Sequence, residues 1–337
     1  MTLYCGIDLH SNNSVLSIID EQDKVVFEKR LPNDLTEILE VVEGYGEDVA
    51  GCVVESTYNW YWLVDGLMEA GHTVHLAHTS AVPQYAGLKY SNDQSDARHL
   101  AQLLRLGILP TGHILPREQR EIRDLLRRRL LLVRQKTLHH LSLQSLIARY
   151  TGERLSSNEI KQLDSAAVLA RLGDPVGVGG QISVLAMQWL DEAIGIIERQ
   201  VHQRVKPTEA YRIVTTMPGV GQALGSTIVL ETGPIERFAD AGHYASYARC
   251  VKTERLTNHK VKGRGNAKSG NKYLGWAFME AAHHAPIWSA PIKKYYQRQQ
   301  GSKHIMVAKK AVANKLARAC YHMLSRRESF DVKRAFG

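Results

Sequence analysis

Over the first ~110 residues, hydrophobic positions fall in short runs divided by polar turns. Residues 3–9 (LYCGIDL) read as a strand with Asp8 near its end. Residues 14–19 (SVLSII) and 24–30 (KVVFEKR) read as the next two, joined by Asp20-Glu21-Gln22-Asp23. A helix is predicted at 34–44. Residues 49–55 (VAGCVVE) form an apolar run ending in Glu55, the pattern of a buried strand with a polar tip. A helix at 59–70 stops at Gly71, followed by a strand at 73–77. Asn92-Asp93 can cap a helix running to about 106, ended by Gly107 and Pro110. A strand meander followed by strand–helix alternation predicts a mixed α/β sheet domain over 1–115.

The period then changes. Over 117–150, Ile122, Leu125, Leu126, Leu130, Val133 and Leu141 recur at helical spacing. Arg117, Arg120, Arg123, Arg127, Arg128, Arg134 and Lys136 are assigned to the opposite face. This predicts a long amphipathic helix, the start of a coiled-coil arm over 116–207. The Gly-rich stretch 173–180 reads as a break, and a second long helix covers 181–205. A mostly helical C-terminal domain over 208–337 follows. It holds a helix at 209–215, the turn Met217-Pro218-Gly219-Val220-Gly221, and a helix at 222–231. A basic loop at 249–272, a helix at 273–285 and a helical, basic tail from 293 complete it.

Charge sharpens this division. Residues 1–100 carry 5 Lys+Arg against 16 Asp+Glu, and the rest of the 337 carry 38 against 18. An uneven solvated exterior would produce such a split, but the basic back two-thirds better fits a polyanion partner. At 44% hydrophobic and 23% charged residues, disordered and collagenous classes are excluded. No apolar run reaches the ~18 residues of a membrane span. The N-terminus lacks a basic stretch before an apolar core, so no secretory signal is expected. Cys5, Cys52, Cys250 and Cys320 lie far apart, which fits neither a zinc site nor a disulfide framework and suits a reducing cytoplasm.

Four carboxylates carry the candidate chemistry. Asp8 and Glu55 end apolar strands, where open sheets meet their ligands. Asp93 and Asp96, three apart, share a helical face. Brought together, the four would repel and raise each other's pKa. Divalent cations relieve that repulsion, and two Mg²⁺ ions ~4 Å apart can clamp both oxygens of a phosphodiester displacement. Singly, each carboxylate has an ordinary reading as a helix cap or half of an ion pair. Jointly they resemble the ribonuclease-H-like fold of RuvC-type junction resolvases. The MPGVG turn reads as a helix–hairpin–helix, whose Gly219 and Gly221 let backbone N–H groups approach a phosphate. Loop 249–272 holds eight Lys+Arg and one Glu among glycines and asparagines.

Taken in order, YCGIDLH, VVESTYNW, NDQSDARHLA, MPGVGQALGSTI and RCVKTERLTNHKVKGRGNAKSGNKYLGWAFMEAA resemble the DEDD transposases of the insertion-sequence family one-ten. The likeness extends to its eleven-eleven subgroup and to pilin-gene invertases, and spans about 3–325. It implies a RuvC-like domain, a coiled-coil arm and a C-terminal transposase domain. It also implies that Asp8, Glu55, Asp93 and Asp96 bind Mg²⁺, two ions, with Mn²⁺ as a substitute. A hydroxyl nucleophile would bond covalently to DNA. The implied partners are donor and target DNA, a structured non-coding guide RNA from the element's own end, and further copies of the chain, as a dimer of dimers with composite active sites. The implied setting is the bacterial cytoplasm, at the nucleoid, without membrane. Where the family has its serine nucleophile this chain has Thr257, followed by Asn258, with Ser269 the next candidate. A threonine hydroxyl can act as a nucleophile. Nucleic-acid contacts are expected from Arg127, Arg128, Gly219, Gly221, Arg255, Lys260, Lys262, Arg264, Lys268 and Lys272.

Two other readings use the same residues. A water-using, metal-dependent junction nuclease needs only the four carboxylates, and an inactive DNA- or RNA-binding remnant needs only the basic half. His139-His140 and His283-His284 are adjacent pairs and do not share a helical face. His75 and His78 read as structural, and Trp60 and Trp62 as core of the first domain.

Overall fold

The computed structural model describes all residues except 83–92, 253–254, 258–259, 264–268 and 303, with backbone alone at 80, 255–257 and 260–263. The chain divides into two compact units, Met1–Arg117 and Glu118–Gly337.

The first unit runs β1 (Leu3–Leu9), β2 (Asn13–Ile19), β3 (Val25–Pro32), α1 (Leu35–Glu43), β4 (Val49–Glu55), α2 (Tyr61–Glu69), β5 (Val74–Ala77), α3 (Asp93–Arg105) and β6 (Thr111–Gly112). The sheet order is β3-β2-β1-β4-β5-β6. β1 is antiparallel to β2 and parallel to β4, which is parallel to β5. This mixed sheet, with a mostly helical remainder, is consistent with a ribonuclease-H-like fold. Strands, which alternate sides residue by residue, sort their own faces. Cys5, Ile7, Leu9, Cys52 and Val54 join Ile38, Val42, Leu63, Val64 and Leu67 in one buried core. Gly6 and Asp8 of β1, and Val53 and Glu55 of β4, therefore belong to the opposite face. There α3 packs along β1, β2 and β4.

That helix lies unusually close. A Cβ on Gly6 would stand 1.9 Å from the Ala97 carbonyl oxygen and 2.8 Å from the Ala101 nitrogen. Ion pairs fasten the same helix to the sheet's antiparallel side: Arg98 to Glu28 at 2.8 Å and Arg105 to Asp23 at 2.7 Å.

The second unit begins with α4 (Arg117–Thr151), which starts one residue before the boundary. Next come α5 (Ser157–Gln162), α6 (Ser165–Leu172) and α7 (Val176–Val205). Three clusters order α4 and α7 antiparallel: Leu126 with Val201 and Val205, Leu132 with Leu190 and Ile194, Leu143 and Ile147 with Val184 and Met187. The Gly-rich break over 173–180 is corrected. Only Gly173–Pro175 interrupts the chain, and α7 takes Gly177, Gly179 and Gly180 into its first turns. A Cβ at Gly177 would meet Leu169 at 2.7 Å, and one at Gly180 would meet Val168 at 2.4 Å. These glycines let α6 seat against α7; they do not end a helix. The short α5 and α6 escaped the periodicity reading, although Ser156 and Glu159 form a capping box legible in the sequence.

The remainder holds α8 (Glu209–Val214), α9 (Gln222–Thr232), α10 (Ala241–Tyr247), β7 (Arg255–Thr257), β8 (Lys260–Gly263), α11 (Lys272–Trp288), α12 (Ala290–Gln300), α13 (Ile305–Arg326) and α14 (Val332–Phe336). Its core centres on Tyr244, Phe278, Leu274, Val312 and Leu316. The loop read at 249–272 contains a two-stranded antiparallel ribbon, β7–β8. All four cysteines are buried and free. No helix among the described residues is long and apolar enough to cross a membrane.

Candidate active site

Parallel pairing of Ile7 with Val54 sets Asp8 and Glu55 at adjacent strand ends. Asp8 is 4% exposed, and it shares a hydrogen bond with Glu55. Because Ala97 sits over Gly6, the first turn of α3 hangs above the same end of the sheet, and Asp93 and Asp96 come with it. The cap read at Asn92 lies outside the described residues.

Glu55, Asp96 and Asp93 are shifted in different directions. Burial pushes Glu55 up to about 7, helped by Asp8 and then by the charge of Asp96. Asp96 is also raised, by burial and then by Asp8 and Asp93. Asp93 departs from the expected mutual rise: the hydrogen bond from Arg30 holds it below its ordinary value, with His10 adding to the effect. Arg30 and His10 are functional neighbours that sequence reasoning passed over. His10 was visible as the last letter of YCGIDLH, whereas Arg30 reaches the site only because β3 pairs outside β2.

His10 Nε2 lies 3.4 Å from Asp8 Oδ2 and 3.3 Å from Asp93 Oδ2. It is buried without an aligned hydrogen-bond partner. Ligand atoms of Asp8, His10 and Asp93 all fall within 4.8 Å of one another. A carboxyl whose pKa is raised by burial and by neighbouring acids, and a buried ring nitrogen facing two carboxylates, together fit a divalent cation. Such an ion would be held by Asp8 and Asp93, with Glu55 and Asp96 beside it. It would polarise a phosphodiester and stabilise its departing oxygen.

A pH dependence follows. Between about 4.5 and 7 the unfolded chain gives up a proton that folded Glu55 keeps. The metal-free protein should therefore lose stability as pH rises through that window. Asp93, whose pKa is lowered, contributes stability that is lost only as pH falls below the ordinary carboxylate range. Thermal unfolding at pH 5 and 7.5 should show the higher Tm at pH 5. Glu55→Gln should flatten the difference, and a Tm higher at 7.5 in metal-free buffer would contradict the assignment.

In the second unit the basic residues divide. Arg127 donates to Glu231 at 2.6 and 2.7 Å, and its guanidinium stacks over Tyr273 at 4.6 Å. Arg129 pairs with Glu198 at 2.6 Å, Lys136 pairs with Asp191, and Arg120 is buried. The basic face assigned opposite the apolar stripe is thus partly turned inward: acidic residues of α7 and α9 take several of the arm's cations. Arg128 remains exposed. Arg127→Ala should destabilise the fold by about 3–5 kcal/mol, because it strands buried Glu231. Arg128→Ala should leave the fold unchanged and lower the salt dependence of nucleic-acid binding. Denaturant titration beside a salt series separates the two.

Glu231 also accepts from Asn271 at 2.7 Å, and Asn271 caps α11 just after the basic loop. Arg249 donates to the carbonyls of Ser269 and Gly270, closing the loop's ends. Thr257 ends β7 and pairs in register with Lys260; Lys262 lies on β8 and Arg255 on β7. Arg264, Lys268 and Asn258 lie outside the described residues, and Ser269 and Lys272 are exposed. The turn between α8 and α9 rests on α11. Gly219 has φ +81°, and a Cβ there would meet the Ala281 carbonyl at 2.6 Å. Exposed Gly221 precedes α9 without a capping side chain, leaving that helix's first N–H groups without a side-chain acceptor.

Comparison with known proteins agrees with this architecture. Residues 5–151 match the DEDD transposase model of the IS110 type, and residues 211–297 match the Transposase IS116/IS110/IS902 family. The transposase for insertion sequence element IS1111A of Coxiella burnetii is 23% identical, over 96% of this chain and 90% of its own. The mini-circle putative transposase for IS117 of Streptomyces coelicolor is 23% identical, over 100% and 97%. An uncharacterized 44.8 kDa protein of insertion element IS116 from Streptomyces clavuligerus is 28% identical over 33% of this chain and 28% of its own. The protein is an enzyme of DNA transposition, a transposase of the DEDD class. It belongs to the IS110 family of insertion-sequence transposases. Membership of a DEDD family implies divalent-metal use and DNA as substrate.

Proposed function

We propose that this transposase cuts and rejoins donor and target DNA under the direction of a non-coding RNA from its own element. Mg²⁺ at Asp8, Glu55, Asp93 and Asp96 would supply charge stabilisation at the scissile phosphate. Thr257 is the nucleophile in this reading. Its oxygen forms a bond to phosphorus as one P–O ester bond of the DNA breaks, leaving a threonyl–DNA ester and a free deoxyribose hydroxyl. Rejoining reverses the exchange, with a new hydroxyl displacing Thr257. The observation that carries the metal-dependent part is the convergence of Asp8, His10 and Asp93 within 4.8 Å at one sheet end. The β7–β8 ribbon, Lys272, and the Gly219–Gly221 turn read as a helix–hairpin–helix, would hold nucleic-acid backbone. Exposed Arg128 would hold DNA or RNA on the arm, a coiled-coil element in this reading. The working assembly is a dimer of dimers in the bacterial cytoplasm, at the nucleoid.

A suicide substrate tests the nucleophile. Protein, Mg²⁺, the flanking non-coding RNA and labelled donor DNA are run on a denaturing gel. A protein–DNA adduct is expected from the wild type and from Thr257→Ser, and none from Thr257→Ala. An adduct that persists in Thr257→Ala moves the role to Ser269 or another hydroxyl. Nicked DNA without an adduct makes the enzyme a water-using nuclease.

A further inference from the structure

We propose that His10 is a nitrogen ligand of the catalytic cation and tilts the site from Mg²⁺ toward a divalent transition ion such as Mn²⁺. This rests on the metal-dependent reading above and goes beyond it, because none of the four acids supplies nitrogen.

The geometry around His10 is that of a built ligand. Its carbonyl accepts from Asn33 Nδ2 at 3.0 Å and from Asn59 Nδ2 at 2.9 Å. Its backbone nitrogen donates to the Asn13 carbonyl at 2.9 Å. The two amides are themselves held: Asn33 Oδ1 accepts from Ser14 Oγ at 2.7 Å, and Asn59 Oδ1 accepts from Thr57 Oγ1 at 2.9 Å. Three connections, after β1, β3 and β4, thus grip one residue's backbone and fix where its ring begins. What the grip delivers is Nε2 between the Asp8 and Asp93 carboxylates, buried and without an aligned hydrogen bond.

A counter-charge for Asp93 is already present in Arg30, which also donates to Asn13 at 2.6 Å. Nε2 stands 3.3–3.4 Å from both carboxylates, facing the space they share, and in the neutral ring its lone pair would be available there to a cation. Carboxylates and water suit both Mg²⁺ and Mn²⁺, but an imidazole nitrogen is taken up more readily by first-row transition ions, Mn²⁺ the weakest of them, than by the harder Mg²⁺. A set of two carboxylates and one imidazole therefore gains more for Mn²⁺ than for Mg²⁺.

Pulsed EPR of the full-length protein with substoichiometric Mn²⁺ tests this without reference to activity. Bound Mn²⁺ should show ¹⁴N modulation that changes to the ¹⁵N pattern in protein labelled with [¹⁵N]histidine. His10→Gln should abolish the coupling and weaken Mn²⁺ binding at least about tenfold, the loss that even outer-shell changes reach. Competition by Mg²⁺ should change much less. Circular dichroism and Tm of His10→Gln establish that the variant is folded, and the labelled wild type requires no variant at all. Mn²⁺ that binds, is released by Asp8→Asn and shows no nitrogen coupling overturns the role of His10 and leaves the metal site standing. Nitrogen coupling that persists in His10→Gln overturns it too. Failure to bind Mn²⁺, or binding indifferent to Asp8→Asn, overturns the metal reading and this proposal together.

Discussion

Asp8→Asn is expected to lower DNA cleavage by about a thousandfold or more and to leave nucleic-acid affinity close to wild type. The size follows from the loss of a charged metal ligand: a cation at the scissile phosphate supplies several kcal/mol of transition-state stabilisation, and each 1.36 kcal/mol is tenfold in rate. The retained affinity follows from where the charges lie. Residues beyond 100 hold 38 of the 43 Lys+Arg, and phosphate contacts of that kind do not depend on Asp8. Stability provides the internal control. Asp8 is 4% exposed and helps hold Glu55 at a pKa of about 7, so the cluster is mutually repulsive without a cation. Removing one negative charge should leave the metal-free Tm unchanged or higher. Cleavage kinetics, a binding isotherm and a melting curve on one preparation check all three. A variant that cleaves within tenfold of wild type would remove Asp8 from the metal site.

The second large effect comes from a residue with no side chain. Gly6→Ala places a methyl 1.9 Å from the Ala97 carbonyl oxygen, inside any tolerable contact. Both neighbours are backbone, so no rotamer change relieves the clash; α3 must move away from β1. Overpacking of this kind costs about 3 kcal/mol or more. In a unit of this size that lowers Tm by about 10 °C or more. The displacement also reaches chemistry, since Asp93 and Asp96 ride on the first turn of the shifted helix. Misplacement by ~1 Å costs about a hundredfold, so cleavage should fall even at temperatures where Gly6→Ala is fully folded. Gly112→Ala is the control: its new methyl would find its nearest atom at 3.5 Å, ordinary contact, and should alter neither Tm nor rate. Unchanged unfolding and cleavage in Gly6→Ala would mean that α3 does not sit on β1 as described.

How much of the site was legible can be judged residue by residue. Asp8 and Glu55 were readable because a polar residue ending an apolar strand is conspicuous; that they lie side by side is decided by the parallel register of β1 and β4. Asp93 and Asp96 were readable as a pair because three-residue spacing fixes their shared side. Arg30 was not: nothing local distinguishes it from any edge-strand arginine, and its role depends on β3 pairing outside β2 and on the contact of its guanidinium with Asp93 of α3. Arg127 shows the opposite failure. Its sequence context is a basic helix face, yet buried Glu231, more than a hundred residues away, claims its guanidinium. The glycines over 173–180 read as a break because glycine is a weak helix former. Packing overrode that propensity: α7 seats against α6, where a Cβ at Gly177 or Gly180 would press on the side chains of Leu169 and Val168.

The sequence by itself determined the strand and helix order of the first unit short of the two-residue β6, the two long helices that follow and the charge division, and it singled out the four acids as candidates. Each of these is encoded locally, in a two- or 3.6-residue period, a tip residue or a run of like charge. The tertiary structure alone decided which acid is raised and which lowered, which arginines are spent on internal ion pairs, and that His10 stands between Asp8 and Asp93. Those outcomes depend on contacts shorter than about 4 Å, most of them between residues far apart in the chain, and electrostatics at that range follows proximity and burial, which no local pattern specifies.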